Sequence, residues 1–196
     1  MAISAPSTRV EAISPENLED FLRFFDGKAF SDNPEWSFCY CQCFYEDHSK
    51  LVWKEQTAER NRSMACRRIG NRAMRGYLAY AGDDPVGWCN AAPRHLLHAL
   101  DDEPTPDAEK IGAIVCFLVA PDHRGKGIAK KLLEAACDGL AAEGLEIAEA
   151  NPKKESGSDA ENYVGPLSLY LSAGFAIYRE DDDGSVYVRR ALRAVT

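Results

Sequence analysis

Val119-Ala120-Pro121-Asp122-His123-Arg124-Gly125-Lys126-Gly127-Ile128-Ala129 runs from an apolar stretch through two closely spaced glycines into an amphipathic one. Glycine lets a backbone approach a ligand closely, and the N–H groups that open a helix lack intrahelical acceptors and sit at the positive end of its dipole. Such a segment suits a pyrophosphate, with Arg124 and Lys126 adding positive charge. Gly125-Lys126-Gly127 continues into Ile128-Ala129-Lys130, so neither a P-loop nor the dinucleotide fingerprint fits. The bland alternative is that the glycines only make a tight strand-to-helix turn. Cys39, Cys41 and Cys43 invite a zinc reading. Their spacing is not that of the usual ligand pairs and no second pair completes a four-ligand set, so no metal is expected. His48, His95, His98 and His123 show no ligand-like cluster and are expected at the surface.

The elements that must position this loop follow from periodicity. Ala113 to Ala120 is a nearly continuous apolar run, the pattern of a buried central strand. Residues 126–143 predict a helix with Ile128, Leu132, Ala135, Ala136 and Leu140 inward and Gly144 as its stop. A strand over 145–150 follows, so strand, helix and strand form a right-handed crossover with parallel strands. Upstream, residues 8–13 predict a strand. Ser14-Pro15 starts a helix whose Leu18, Phe21, Leu22 and Phe25 share one face. Residues 31–53 read as an irregular aromatic and cysteine-rich stretch, and 58–69 as a polar helix. Residues 76–81 and 86–91 flank a Gly-Asp-Asp-Pro turn as a hairpin. A last helix over 160–173, stopped by Gly174, leads into a closing hairpin of 175–178 and 186–192. The segment 153–159 reads as a surface loop. The fold class is a mixed α/β sheet.

Composition bounds the function. At 196 residues, with 45% hydrophobic and 28% charged side chains, one globular domain over 1–196 is expected. The 31 acidic and 23 basic residues give a net charge of -8, which disfavours nucleic acid and anionic membranes as partners. No apolar run approaches the roughly 18 residues of a membrane span, and the first six residues lack signal-peptide character, so a cytoplasmic location is expected. Seven cysteines without a secretory signal read as reduced thiols. A homodimer is compatible with the sequence, which does not establish one.

Arg124-x-x-Gly127-x-Ala129 resembles the Arg/Gln-x-x-Gly-x-Gly/Ala signature of the GNAT superfamily of acyl-CoA N-acyltransferases. Independently, Leu169-Tyr170-Leu171-Ser172-Ala173-Gly174-Phe175 is similar to the family's Leu-Tyr-x-x-x-Gly-Phe segment. Together the two cover roughly residues 111–192. The segments 87–94 and 149–152 resemble a poorly characterised subgroup, with Tyr40-Cys41 in its aromatic flank. One departure stands out: where many members carry an asparagine seven residues before the tyrosine, this chain has Tyr163, and the neighbouring Asn162 is not assigned that role.

The resemblance implies a GNAT-like fold and transfer of an acetyl or short acyl group from acetyl-CoA to a primary amine by direct attack. The acceptor would be a small molecule or a protein amine. The alternative is a noncatalytic CoA-binding sensor on the same fold. The implied cofactor contacts are Phe117, Leu118 and Val119, for the pantetheine arm and carbonyl, and Arg124, Gly125, Lys126, Gly127, Ile128 and Ala129. Tyr170 is the implied general acid for the departing thiolate, because a phenol of ordinary pKa about 10 stays protonated at neutral pH. Its other reading is helix packing. Glu149, at the C-terminal end of a parallel strand, is the first choice of base, with water as the alternative. Residues 31–70 would flank the acceptor, with Trp36, Tyr40 and Cys41 in its wall.

Overall fold

The computed structural model describes residues 8–101, 105–154 and 162–193. One seven-stranded sheet organises them, in the order β1-β2-β3-β4-β5-β7-β6. The strands are β1 Thr8–Ala12, β2 Tyr77–Ala81, β3 Asp84–Pro93, β4 Ile111–Val119, β5 Ile147–Ala150, β6 Ala176–Glu180 and β7 Val186–Ala191. Every neighbouring pair is antiparallel except β4 and β5, which run parallel as the crossover required.

Helices cover both faces. α1, Leu18–Arg23, follows a short turn at Pro15–Asn17 in which the Ser14 amide donates to Asn17 Oδ1 at 2.8 Å. It continues as a widened turn over Phe24–Lys28, where the Ala29 amide reaches Phe24 O at 3.0 Å. That extra residue per turn brings Phe24 into the core beside the expected Phe21, Leu22 and Phe25, while Leu18 is only partly buried. Phe21 meets Trp88 edge-on at 5.0 Å. α2, Ala58–Gly70, is capped by Thr57, whose hydroxyl accepts from the Arg60 amide. The long helix α3, Ile128–Ala142, packs across the other face, because Gly87 and Trp88 are adjacent on β3 and so point to opposite sides. Gly112 permits this approach: a β-carbon there would lie 2.6 Å from Leu140 Cδ1.

Two features differ from the sequence reading. The β2–β3 turn is Gly82-Asp83 alone, with Asp84 and Pro85 already in β3. The last helix, α4, spans Leu167–Ser172. Gly165 at φ +82° and the extended Pro166 delay its start; residues 155–161 lie outside those described.

β4 and β5 pair over only three residues, Ile111 with Ile147, Gly112 with Ala148 and Ala113 with Glu149. Beyond them the strands diverge. Against β3 the register steps from Ala91 opposite Ile114 to Asn90 opposite Cys116, so Val115 is an extra residue that bends β4 at the point of divergence. The result is a notch in the sheet, with backbone groups of β4 facing it.

Candidate active site

The loop after β4 closes one side of the notch. Gly125 and Gly127 take φ of +70° and +77°, left-handed conformations that cost other residues roughly 1 kcal/mol or more. Gly127 is the N-cap of α3 and contributes no capping side chain, so the first amides of that helix face the loop. A β-carbon added at either glycine would meet nothing within 4 Å. The space is open, as an anion cradle requires.

A cleft of about 410 Å³ runs from this loop along β4. Phe117, Leu118, Val119, Arg124, Gly125, Gly127, Ile128 and Ala129 all line it. Lys126 lies just outside, its Nζ donating to Asp122 O at 2.7 Å. Arg124 is held at both ends: Nε donates to Val119 O at 3.1 Å, and Nη1 meets Asp32 Oδ2 at 2.6 Å. That hydrogen bond holds the Asp32 carboxyl below its ordinary range. His123, expected merely at the surface, is also a cleft residue and sits 2.8 Å from Asp122.

The open edge of β4 is partly engaged. The Phe117 amide donates to Tyr163 O at 2.5 Å, so Phe117 directs its backbone away from β3. Strand alternation puts the Val119 amide on the same edge. The Phe117 carbonyl and Val119 N–H therefore point into the notch.

On the far side of the notch lies a second cleft of about 700 Å³, lined by residues including Phe44, Arg94, Glu149, Lys153, Tyr163 and Tyr187. Glu149 is 5% exposed. Its Oε1 accepts from Arg94 Nη1 at 3.1 Å and its Oε2 from Arg189 Nε at 2.7 Å. Arg189 lies directly opposite Glu149 across the β5–β7 ladder, and also donates to Thr105 Oγ1. Sequence reasoning found the carboxylate but not its two guanidiniums. The β7 pairing register was the missing information.

Tyr170 is fully buried on α4. Its hydroxyl donates to Val164 O at 2.7 Å, its ring packs edge-on against Phe117 and Phe175, and burial pushes its phenol well above its ordinary pKa. It lines neither cleft. Of the expected acceptor-side residues, Trp36 lines the first cleft and meets Tyr163 edge-on at 5.8 Å. Tyr40 and Cys41 are not brought to either cleft. Both adopt left-handed backbone, φ +42° and +54°, which turns them into the core. Tyr40 donates to Asp26 at 2.6 Å, and burial together with that carboxylate pushes its phenol up to about 12. Cys41 Sγ accepts from Asn90 Nδ2 at 3.2 Å. Burial opposes its ionisation, yet the polar groups around it, the Asn90 amide among them, outweigh burial and put the thiol below its ordinary value. The segment reaches the second cleft through Phe44 instead. Among the described residues no three His, Cys, Asp or Glu side chains converge as a metal-holding group.

The sequence profile of the acetyltransferase (GNAT) family matches residues 18–156, more than half of the chain. The protein belongs to the GNAT acetyltransferase family. Solved structures share its fold. An N-acetyltransferase from Staphylococcus aureus Mu50 aligns at 14% identity and a TM-score of 0.59, over 95% of this chain and 99% of that one. The protein yncA of Salmonella typhimurium, solved with its cofactor acetyl-CoA, aligns at 13% and 0.54, over 96% and 95%. The paia N-acetyltransferase of Thermoplasma acidophilum, solved with coenzyme A, aligns at 17% and 0.55, over 94% and 99%. No curated protein matches in sequence. In this GNAT protein, among the described residues, no helix is long and apolar enough to cross a membrane.

Proposed function

We propose that this GNAT protein transfers an acetyl or short acyl group from CoA to a primary amine on a small molecule or a protein, by direct attack of the amine on the thioester. The observation that carries this reading is the open Gly125–Gly127 cradle leading along the β4 edge that β5 leaves beyond Ala113, to a second cleft on the other side. The relatives solved with CoA and acetyl-CoA support the choice of donor.

In this reading the amides at the start of α3 hold the pyrophosphate, and Arg124 supplements them. The Val119 N–H and Phe117 carbonyl bond the amides of the pantetheine arm. Acceptors enter by the larger cleft. Glu149 gives both oxygens to guanidiniums, which favours a positioning role: it fixes Arg94 in the cleft wall and ties it to Arg189 on β7, while water removes the amine proton. Tyr170, tied to Val164, steadies the 162–166 turn against β4. Two measurements test the proposal. Calorimetry should detect CoA binding, and free CoA should accumulate from acetyl-CoA over an amine panel faster than in buffer. Binding without acceleration would leave a CoA sensor instead.

A further inference from the structure

The acyl-transfer reading needs a donor from one cleft and an acceptor from the other to meet, and the linings of the two clefts share one residue among those described, Tyr163. We propose that Tyr163 is the proton donor to the departing thiolate in this protein. This deepens the proposed function and rests on it.

The surroundings of Tyr163 fit the role. Its backbone is pinned, the carbonyl accepting from Phe117 and the flanking turn closed by the Gly165 amide on Asn162 O at 2.7 Å. Trp36 fixes the ring from its edge at 5.8 Å. Its hydroxyl has no hydrogen-bond partner among the described residues, whereas the Tyr170 hydroxyl is committed to Val164. Burial raises the Tyr163 phenol above its ordinary value, so it holds its proton at neutral pH. The step balances. The amine lone pair forms the C–N bond, the C–S electron pair passes to sulfur, and sulfur takes the phenolic proton to leave as a thiol. The proton lost by the attacking amine returns to the phenolate through water.

The test uses acetyl-CoA with hydroxylamine as a surrogate acceptor, following free CoA by chromatography in single turnovers after subtracting the uncatalysed rate. Tyr163→Phe should slow this step by about 100-fold or more, the lower bound for general acid catalysis, with CoA affinity by calorimetry unchanged. The melting temperature of Tyr163→Phe should stay at the wild-type value, because the ring that meets Trp36 is kept. Wild-type-like turnover of acetyl-CoA by Tyr163→Phe overturns the assignment. A loss of turnover accompanied by a lowered melting temperature or weakened CoA affinity also overturns it, because it indicates a packing role. Failure of the wild type to bind CoA at all removes the acyl-transfer reading beneath it, a different result from either.

Discussion

The Tyr170 hydroxyl donates to the carbonyl of Val164 at 2.7 Å from a fully buried site. Tyr170→Phe keeps the ring and leaves that carbonyl without its partner, a loss of about 1–3 kcal/mol. The melting temperature should fall while acyl transfer changes much less than in Tyr163→Phe. The linkage has a definite sign. Burial raises the folded pKa above the unfolded value near 10, so this contribution is fully present below about pH 10 and is lost as pH rises further. Tyr40 and Tyr77 shift the same way, to about 12 in each case. Thermal melts should therefore show a steep loss of stability above pH 10. A flat profile to pH 12 would contradict the burial of these phenols.

Glu149→Gln separates anchoring from base catalysis. If Glu149 mainly holds Arg94 and Arg189, removing its charge breaks a buried pair at a cost of about 3–5 kcal/mol, and the melting temperature should drop sharply. If it is also the base, the acyl-transfer rate should in addition lose its acid-side pH dependence. We expect the first outcome, read by denaturant titration alongside a pH–rate profile.

Substitution at Gly127 tests the cradle. A β-carbon there meets nothing, so both Gly127→Ala and Gly127→Asp should fold, each destabilised by roughly 1–2 kcal/mol for the left-handed backbone. They should differ in ligand binding. The carboxylate faces the pyrophosphate position and should weaken CoA by about 100-fold or more, while alanine leaves the helix amides able to bind. Equal affinities for CoA in the two variants would move the pyrophosphate elsewhere.

What sequence could and could not reveal divides along a physical line. The β4–α3–β5 unit is legible because its apolar run, amphipathic period and glycines are all local signals, and the left-handed turn at Gly125 and Gly127 comes with it. Tyr40 and Cys41 were expected to wall the acceptor pocket, yet consecutive left-handed residues without glycine gave no warning that the chain turns them inward. The Glu149–Arg189 pair depends on strand register, which is set by the whole sheet. In the sequence Tyr163 stands out only as a departure from a family pattern. Its place between two clefts follows from where β4 and β5 part.

No local sequence signal marks Asp32, which bears directly on the cleft proposed to hold CoA. Its carboxylate lies 2.6 Å from the Arg124 guanidinium, and both residues line that cleft. Arg124 also lowers the Asp32 pKa, so the carboxylate is ionised at neutral pH and places a negative charge where a pyrophosphate would approach. Asp32→Asn removes that repulsion and releases Arg124 for the phosphates. The pair is partly exposed and screened by solvent, worth about 1 kcal/mol at most, so CoA should bind up to about fivefold more tightly. Because screening acts over about 10 Å at 0.1 M salt and over about 3 Å at 1 M, the gain should be largest in dilute buffer and shrink towards nothing in concentrated salt. Calorimetric titrations with CoA at the two ionic strengths measure this. Weaker binding by Asp32→Asn at both would mean that Asp32 serves to hold Arg124 in its binding pose, and that the arginine contributes only while so clamped.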